Sequence, residues 1–165
     1  YVQRKTSSCC KKIKEKSNVD QYSAYDIYVY VTRDLENLSI DKQTSLTTSG
    51  TLNVDKLDVS VSDQARVNQT FLITNDFDLK AEDQSNIMLE GTAGTMKVKA
   101  YGESKLNLFK YEVNEADITT DDNALLDINA RNSLYGSAKG NSIVNFMGDP
   151  NKDTQISDRA QVLKK

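Results

Sequence analysis

Histidine and tryptophan are absent from these 165 residues, and proline occurs once, at position 150. Without histidine the chain builds no Ser-His-Asp or Cys-His nucleophile and ligates no metal through imidazole. Cysteine is limited to the neighbours Cys9 and Cys10, between which no loop of useful size closes. Two thiols also fall short of the four ligands of a structural zinc site. No apolar run approaches the roughly 18 residues of a membrane-spanning helix, and no signal-peptide core is visible. The seven glycines form no phosphate-binding loop, and the Asn-Gly and Asp-Gly pairs that mark tight hairpins do not occur. The chain opens on Tyr1 without an initiator methionine, which reads as a processed or trimmed piece.

What the chain does have is a repeat. Asp or Gly is followed two residues later by Ala or Ser, and two beyond that by an aliphatic residue. The copies begin at Asp63, Asp83, Gly102, Asp122, Gly140 and Asp158. Their aliphatic ends, Val67, Ile87, Leu106, Leu126, Val144 and Val162, lie 20, 19, 20, 18 and 18 residues apart. A period near 20 predicts a solenoid whose coils bury their apolar faces by stacking. A second ladder, Val59, Leu79, Val98, Ile118 and Gly136, runs eight residues ahead of the first. Around it the residues alternate apolar and polar, as in Phe77-Asp78-Leu79-Lys80-Ala81, the period of a half-buried strand. Each repeat therefore reads as strand, corner, strand, loop. Asp and Gly suit the corner because they tolerate left-handed backbone, while Ala or Ser would point inward where a larger side chain has no room.

These features predict an all-β chain, a parallel β-helix; an antiparallel sandwich would need hairpin turns that are missing. With 38% hydrophobic and 27% charged residues, the composition is that of a folded globular protein with one core. Residues 1–24 read as an N-terminal edge segment and 25–165 as the β-helix domain. Ile27–Thr32 is a β-favouring run that leads through Leu35, Leu38 and Ile40 to a degenerate first coil at Leu46. Tyr22, Tyr25, Tyr28 and Tyr30 read as an amphipathic cap over that coil, with stacking on sugars as the alternative.

Charge is uneven. Residues 1–16 hold six basic side chains against Glu15, a local balance of +5, which leaves −8 on the remainder of a chain of net charge −3. An acidic solenoid repels a polyanion, so the basic end reads as a solvated loop and no nucleic-acid partner is expected. Catalysis finds little support. Ser8-Cys9-Cys10-Lys11 matches Ser-x-x-Lys spacing without its companion motifs. Asp121 and Asp122 are adjacent, so they diverge instead of facing each other across a scissile bond, and Asp122 occupies the corner position. Asp149, Asn151 and Asp153 place oxygens at alternate positions as calcium loops begin, but Thr154 and Ala160 stand where an EF-hand needs Gly and Glu. No catalytic, cofactor or metal residue is assigned.

The corner motif, the run Tyr30-Val31-Thr32-Arg33-Asp34-Leu35-Glu36-Asn37-Leu38-Ser39-Ile40 and the Gly148-Asp149-Pro150 turn resemble the bacterial autotransporter-adhesin head GIN domain family, whose function is unknown. The resemblance covers roughly residues 25 to 165. It implies a right-handed, single-stranded parallel β-helix from a Gram-negative cell envelope, periplasmic, outer-membrane associated or secreted, and it carries over no catalytic or ligand residue. The expected function is a non-enzymatic envelope or surface binding module, an adhesin. The alternative is a polysaccharide-active lyase or hydrolase on a β-helix scaffold. A glycan, a surface or matrix protein, or a further copy of the chain would be the partner. Binding is expected on outward strand positions. Asp58, Asp78, Lys97, Asp117 and Tyr135 would form one column, and Ser60, Lys80, Lys99, Thr119 and Ser137 the next. Lys80, Lys97, Lys99 and Tyr135 are the candidate ligand-binding residues, against the plain alternative of a solvated sheet face.

Overall fold

A computed structural model describes residues 35–48 and 50–165. The Tyr22–Tyr30 cluster, the Ile27–Thr32 run, Cys9, Cys10, the basic segment and the boundary at residue 24 lie outside the described residues. Eleven strands and no helix are present among the described residues: β1 (Asn37–Ile40), β2 (Ser45–Thr47), β3 (Leu52–Asn53), β4 (Lys56–Val61), β5 (Arg66–Ala81), β6 (Asn86–Ala100), β7 (Lys105–Thr120), β8 (Leu125–Ala138), β9 (Ile143–Met147), β10 (Asn151–Ile156) and β11 (Gln161–Lys164). Every pairing is parallel and joins a strand to its counterpart one coil away. The result is a β-solenoid of about seven turns with a period of ~19 residues, which excludes the sandwich.

Among the described residues seven corners turn the chain, at Lys42, Asp63, Asp83, Gly102, Asp122, Gly140 and Asp158. All seven residues have positive φ, between 53° and 68°. The backbone closes each corner with an i-to-i+3 bond, such as Ala65 N–H to Ser62 C=O at 3.0 Å and Ala124 N–H to Asp121 C=O at 3.3 Å. Positive φ at the first central residue is the primed-turn geometry that Gly, Asp and Asn accept at least cost. Two residues on, Ala65, Ser85, Ser104, Ala124 and Ser142 are buried, as the inward reading of the corner requires.

The core is a set of stacked columns. Val59, Leu79, Val98, Ile118 and Gly136 are register partners in sequence, as are Val67, Ile87, Leu106, Leu126 and Val144. Val98 and Leu106 are buried, and Ser104 lies inward at the corner between them. The strand segments before each corner make a first face and those after it a second, and between the two the chain always advances ten residues: Leu57 to Val67, Phe77 to Ile87, Met96 to Leu106, Ala116 to Leu126, Leu134 to Val144. All variation in coil length falls in the other half.

That other half corrects one expectation. The segment read as a loop is a third face of short parallel pairs, Leu72–Thr74 on Gly91–Ala93 and Gly91–Ala93 on Tyr111–Val113. Register shifts sit between Gln69 and Leu72, between Met88 and Gly91, and between Leu108 and Glu112, so bulges absorb the differences of one or two residues. Tyr111 fills this side, fully buried, edge-to-face on Phe77 with ring centroids 5.6 Å apart. Its hydroxyl lies 3.4 Å from Thr74 Oγ1, and burial pushes its pKa up to about 12.

Candidate functional site

Alternation along β4 to β8 and β10 turns every second side chain of the first face outward, and the register lines these up across coils. Asp58, Asp78, Lys97, Asp117, Tyr135 and Asp153 form one column. Ser60, Lys80, Lys99, Thr119, Ser137 and Gln155 form the next. Both columns follow the sequence-derived order, extended by one coil at Asp153 and Gln155. The structure thus brings Lys80, Lys97, Lys99 and Tyr135 onto one polar face.

Their side chains differ in what they touch. Lys80 Nζ lies 2.9 Å from Glu82, and Lys97 Nζ lies 3.7 Å from Asp117. Lys99 has no ion-pair partner among the described residues. Tyr135 is 44% exposed and borders a depression of about 330 Å³ with Gly136, Ser137, Asp153 and Gln155. At the opposite end of the column, burial raises the pKa of Asp58, Lys56 at 3.9 Å pulls it back, and Asp78 and Glu36 push it further up. Neighbouring carboxylates one coil apart, about 4.8 Å, disfavour double ionisation.

A second concavity was not foreseen. It runs along the stacked corners, about 630 Å³, lined by Lys42, Gln43, Asp63, Gln64, Asp83, Gln84, Gly102 and Glu103. Its side chains bond one another between coils: Gln43 Nε2 donates to Gln64 Oε1 at 3.4 Å, and Gln84 Nε2 to Glu103 Oε2 at 3.1 Å. Asn141 Nδ2 donates to Asn123 Oδ1 at 3.1 Å further along the same line. This is an amide ladder, the side-chain analogue of the backbone stacking. The signal for it was present in sequence, since Gln64, Gln84, Asn123 and Asn141 all occupy the second corner position.

The carboxylates singled out in sequence have structural partners. Asp122 Oδ2 accepts from Gly102 N–H at 3.1 Å, and Asp158 Oδ2 accepts from Gly140 N–H at 3.2 Å, so a corner Asp satisfies the amide of the Gly corner one coil earlier. Asp121 Oδ1 accepts from Asp122 N–H at 2.8 Å. In the calcium-like run, Asp149 Oδ1 accepts from Lys164 Nζ at 2.9 Å, and this contact holds its carboxyl below the usual range. Among the described residues, no group of three or more Asp, Glu, Cys or His is placed to hold a metal ion. Asp63 and Asp83 in the corner groove stack along one line, which differs from the facing pair of a glycosidase.

The family model described as "Putative auto-transporter adhesin, head GIN domain" matches residues 12–150. The chain belongs to this family. The matched span begins earlier and ends earlier than the resemblance over residues 25 to 165 implied, and it leaves the last coil, β10 and β11, outside. The description is that of an adhesin-type domain of the bacterial surface. No curated protein and no solved structure matches the chain.

Proposed function

We propose that this domain is a non-enzymatic binding module of a Gram-negative cell envelope, and that its partner lies along the first face. The observation that carries the reading is the unbroken register of two outward polar columns from β4 to β10. Such a face offers polar groups at about 4.8 Å intervals to an extended partner and encloses nothing. The adhesin description of the family points the same way. In this reading Lys80, Lys97, Lys99 and Tyr135 carry the contacts, and the partner is a glycan or a surface or matrix protein. The test is to reverse all three lysines (Lys80→Glu, Lys97→Glu, Lys99→Glu) and measure adhesion to immobilised glycans and matrix proteins. The ion pairs lost are exposed and contribute little to stability, so the variant should fold. Adhesion is expected to fall; unchanged adhesion by a folded variant refutes the role of the lysines.

One observation favours a polysaccharide-active enzyme as the second reading, namely the acidic corner groove. Against it stand the absence of histidine and the commitment of Glu103, Asp121 and Asp122 to hydrogen bonds within the corners. Incubation with pectin and alginate is expected to release no product. Product formation abolished by Asp83→Asn or Asp122→Asn would establish the enzyme instead.

A further inference from the structure

Among the described residues, Tyr135 is the single aromatic side chain in the outward columns of the first face. It is large, 44% exposed, and makes no side-chain hydrogen bond or ring contact there. Several polar groups elsewhere on the face are engaged: Lys80 with Glu82, Lys97 with Asp117, and Thr95 Oγ1 with Asp76 Oδ1 at 2.6 Å. Lys99 has no ion-pair partner among the described residues, and the polar groups that share the depression with Tyr135 are likewise unengaged. Asp153 sits opposite it one coil on and Gln155 opposite Ser137, and none of the three has a side-chain partner among the described residues. Gly136 adds no side chain to the depression they line. Its place is fixed by the backbone, since φ is +123° and a Cβ there would come 2.0 Å from the Ile118 carbonyl oxygen.

An exposed ring beside unengaged carboxylate, amide and hydroxyl groups matches the two sides of a pyranose. The C–H face of the sugar covers the ring, and its equatorial hydroxyls meet acceptors and donors at the edge. Charge selects among sugars. Asp153 flanks Tyr135 unpaired in its own column, Asp117 on the other side is paired with Lys97, and no cation lines the depression. Uronates, sulfated sugars and phosphates are therefore repelled. We infer that Tyr135, with Asp153, Gln155 and Ser137, forms a subsite for a neutral hexose unit of an extended glycan. This rests on the first face being the binding surface, and it shifts recognition from the lysines to the Tyr135 end.

The full chain is titrated by calorimetry with maltohexaose, cellohexaose and mannohexaose as neutral probes, and with trigalacturonate as the charged one. At least one neutral hexaose is expected to bind, trigalacturonate to bind none or more weakly, and Tyr135→Ala to weaken the neutral ligand about tenfold or more. Tyr135→Phe keeps the ring and should bind within about twofold of the parent. Tyr135 is exposed, so both variants should keep the parent circular dichroism spectrum. The inference is overturned if no neutral hexaose binds, if trigalacturonate is the tighter ligand, or if Tyr135→Ala binds as the parent does. The lysine reversal separates the two readings. Adhesion lost with the lysines but kept in Tyr135→Ala leaves the first face standing and removes the subsite. Adhesion kept in both removes both.

Discussion

The coils from Lys56 to Ala138 and the coil from Asn151 to Lys164 share one register and one kind of corner, yet their inward positions differ. In the central coils the column through Leu57, Phe77, Met96, Ala116 and Leu134 is fully buried; in the last coil it continues as Lys152. The column through Val98 and Ile118 continues past Gly136 to Thr154, and the one through Ile128 and Phe146 continues to Lys164. Lys152 Nζ lies 5.9 Å from the Phe146 ring and Lys164 bridges to Asp149, so the stems cover the core while the ammonium groups stay wet. Inward-pointing charge on an edge strand opposes edge-to-edge pairing. An identical backbone pattern thus serves as core in one region and as cover in the other. What distinguishes them is that, among the described residues, β10 and β11 are paired on one side only.

The largest test of that difference places one charge in each region. Leu106→Asp buries an unpaired carboxylate between two coils, which should cost several kcal/mol (on the order of 3–5) and unfold the domain. Val162→Asp occupies the same column in the last coil, where the side chain is only partly buried, and should cost about 1 kcal/mol or less. Thermal melts followed by circular dichroism measure both. Similar shifts in the two variants would show that the last coil is packed like the centre.

The contrast sharpens at the corners. Ser85 Oγ and Ser104 Oγ are buried without a hydrogen-bond partner, whereas Ser142 Oγ donates to the Lys139 carbonyl at 2.7 Å and lies 2.9 Å from Thr120 Oγ1. Ser85→Ala and Ser104→Ala should each stabilise the fold by about 0.5–1 kcal/mol, because an orphaned hydroxyl carries a desolvation penalty. Ser142→Ala should destabilise by about 1 kcal/mol through the lost bond. Urea titration resolves the signs, and a common sign for all three would remove the distinction.

The smallest effect concerns the opposite end of the first face. Asp58 has its pKa raised in the folded state, so its favourable contribution is present below the usual carboxylate value of 3.8 and is lost as pH rises through the raised pKa. At neutral pH the charged form sits beside Asp78 at a cost that solvent exposure keeps small. Asp58→Asn should therefore melt slightly above the parent at pH 7, with the gap closing near pH 3. A gap independent of pH would mean that charge is not the cause.

The tandem corner was legible because its cause is local. Positive φ at Asp63, Asp83, Gly102, Asp122, Gly140 and Asp158 restricts residue type at each turn, and the period-two alternation beside it is set by strand geometry alone. The constant ten-residue step across the corner kept both ladders visible. The third face was not legible, because its bulges at Gln69, Met88 and Leu108 vary the spacing and its inward side chains range from Thr74 to Tyr111.

For the candidate site, repeat spacing and strand alternation were enough to read which residues share a column, including Lys97 with Tyr135 and Lys80 with Lys99. Which of them are engaged depends on neighbours that folding brings up. Glu82 takes Lys80, Asp117 takes Lys97, and Asp153 and Gln155 stay unengaged beside Tyr135. The pair Lys80–Glu82 is local, but Asp117 reaches Lys97 from 20 residues on and Asp153 and Gln155 reach the Tyr135 end from 18 residues on, whereas strand and corner are written within about five residues.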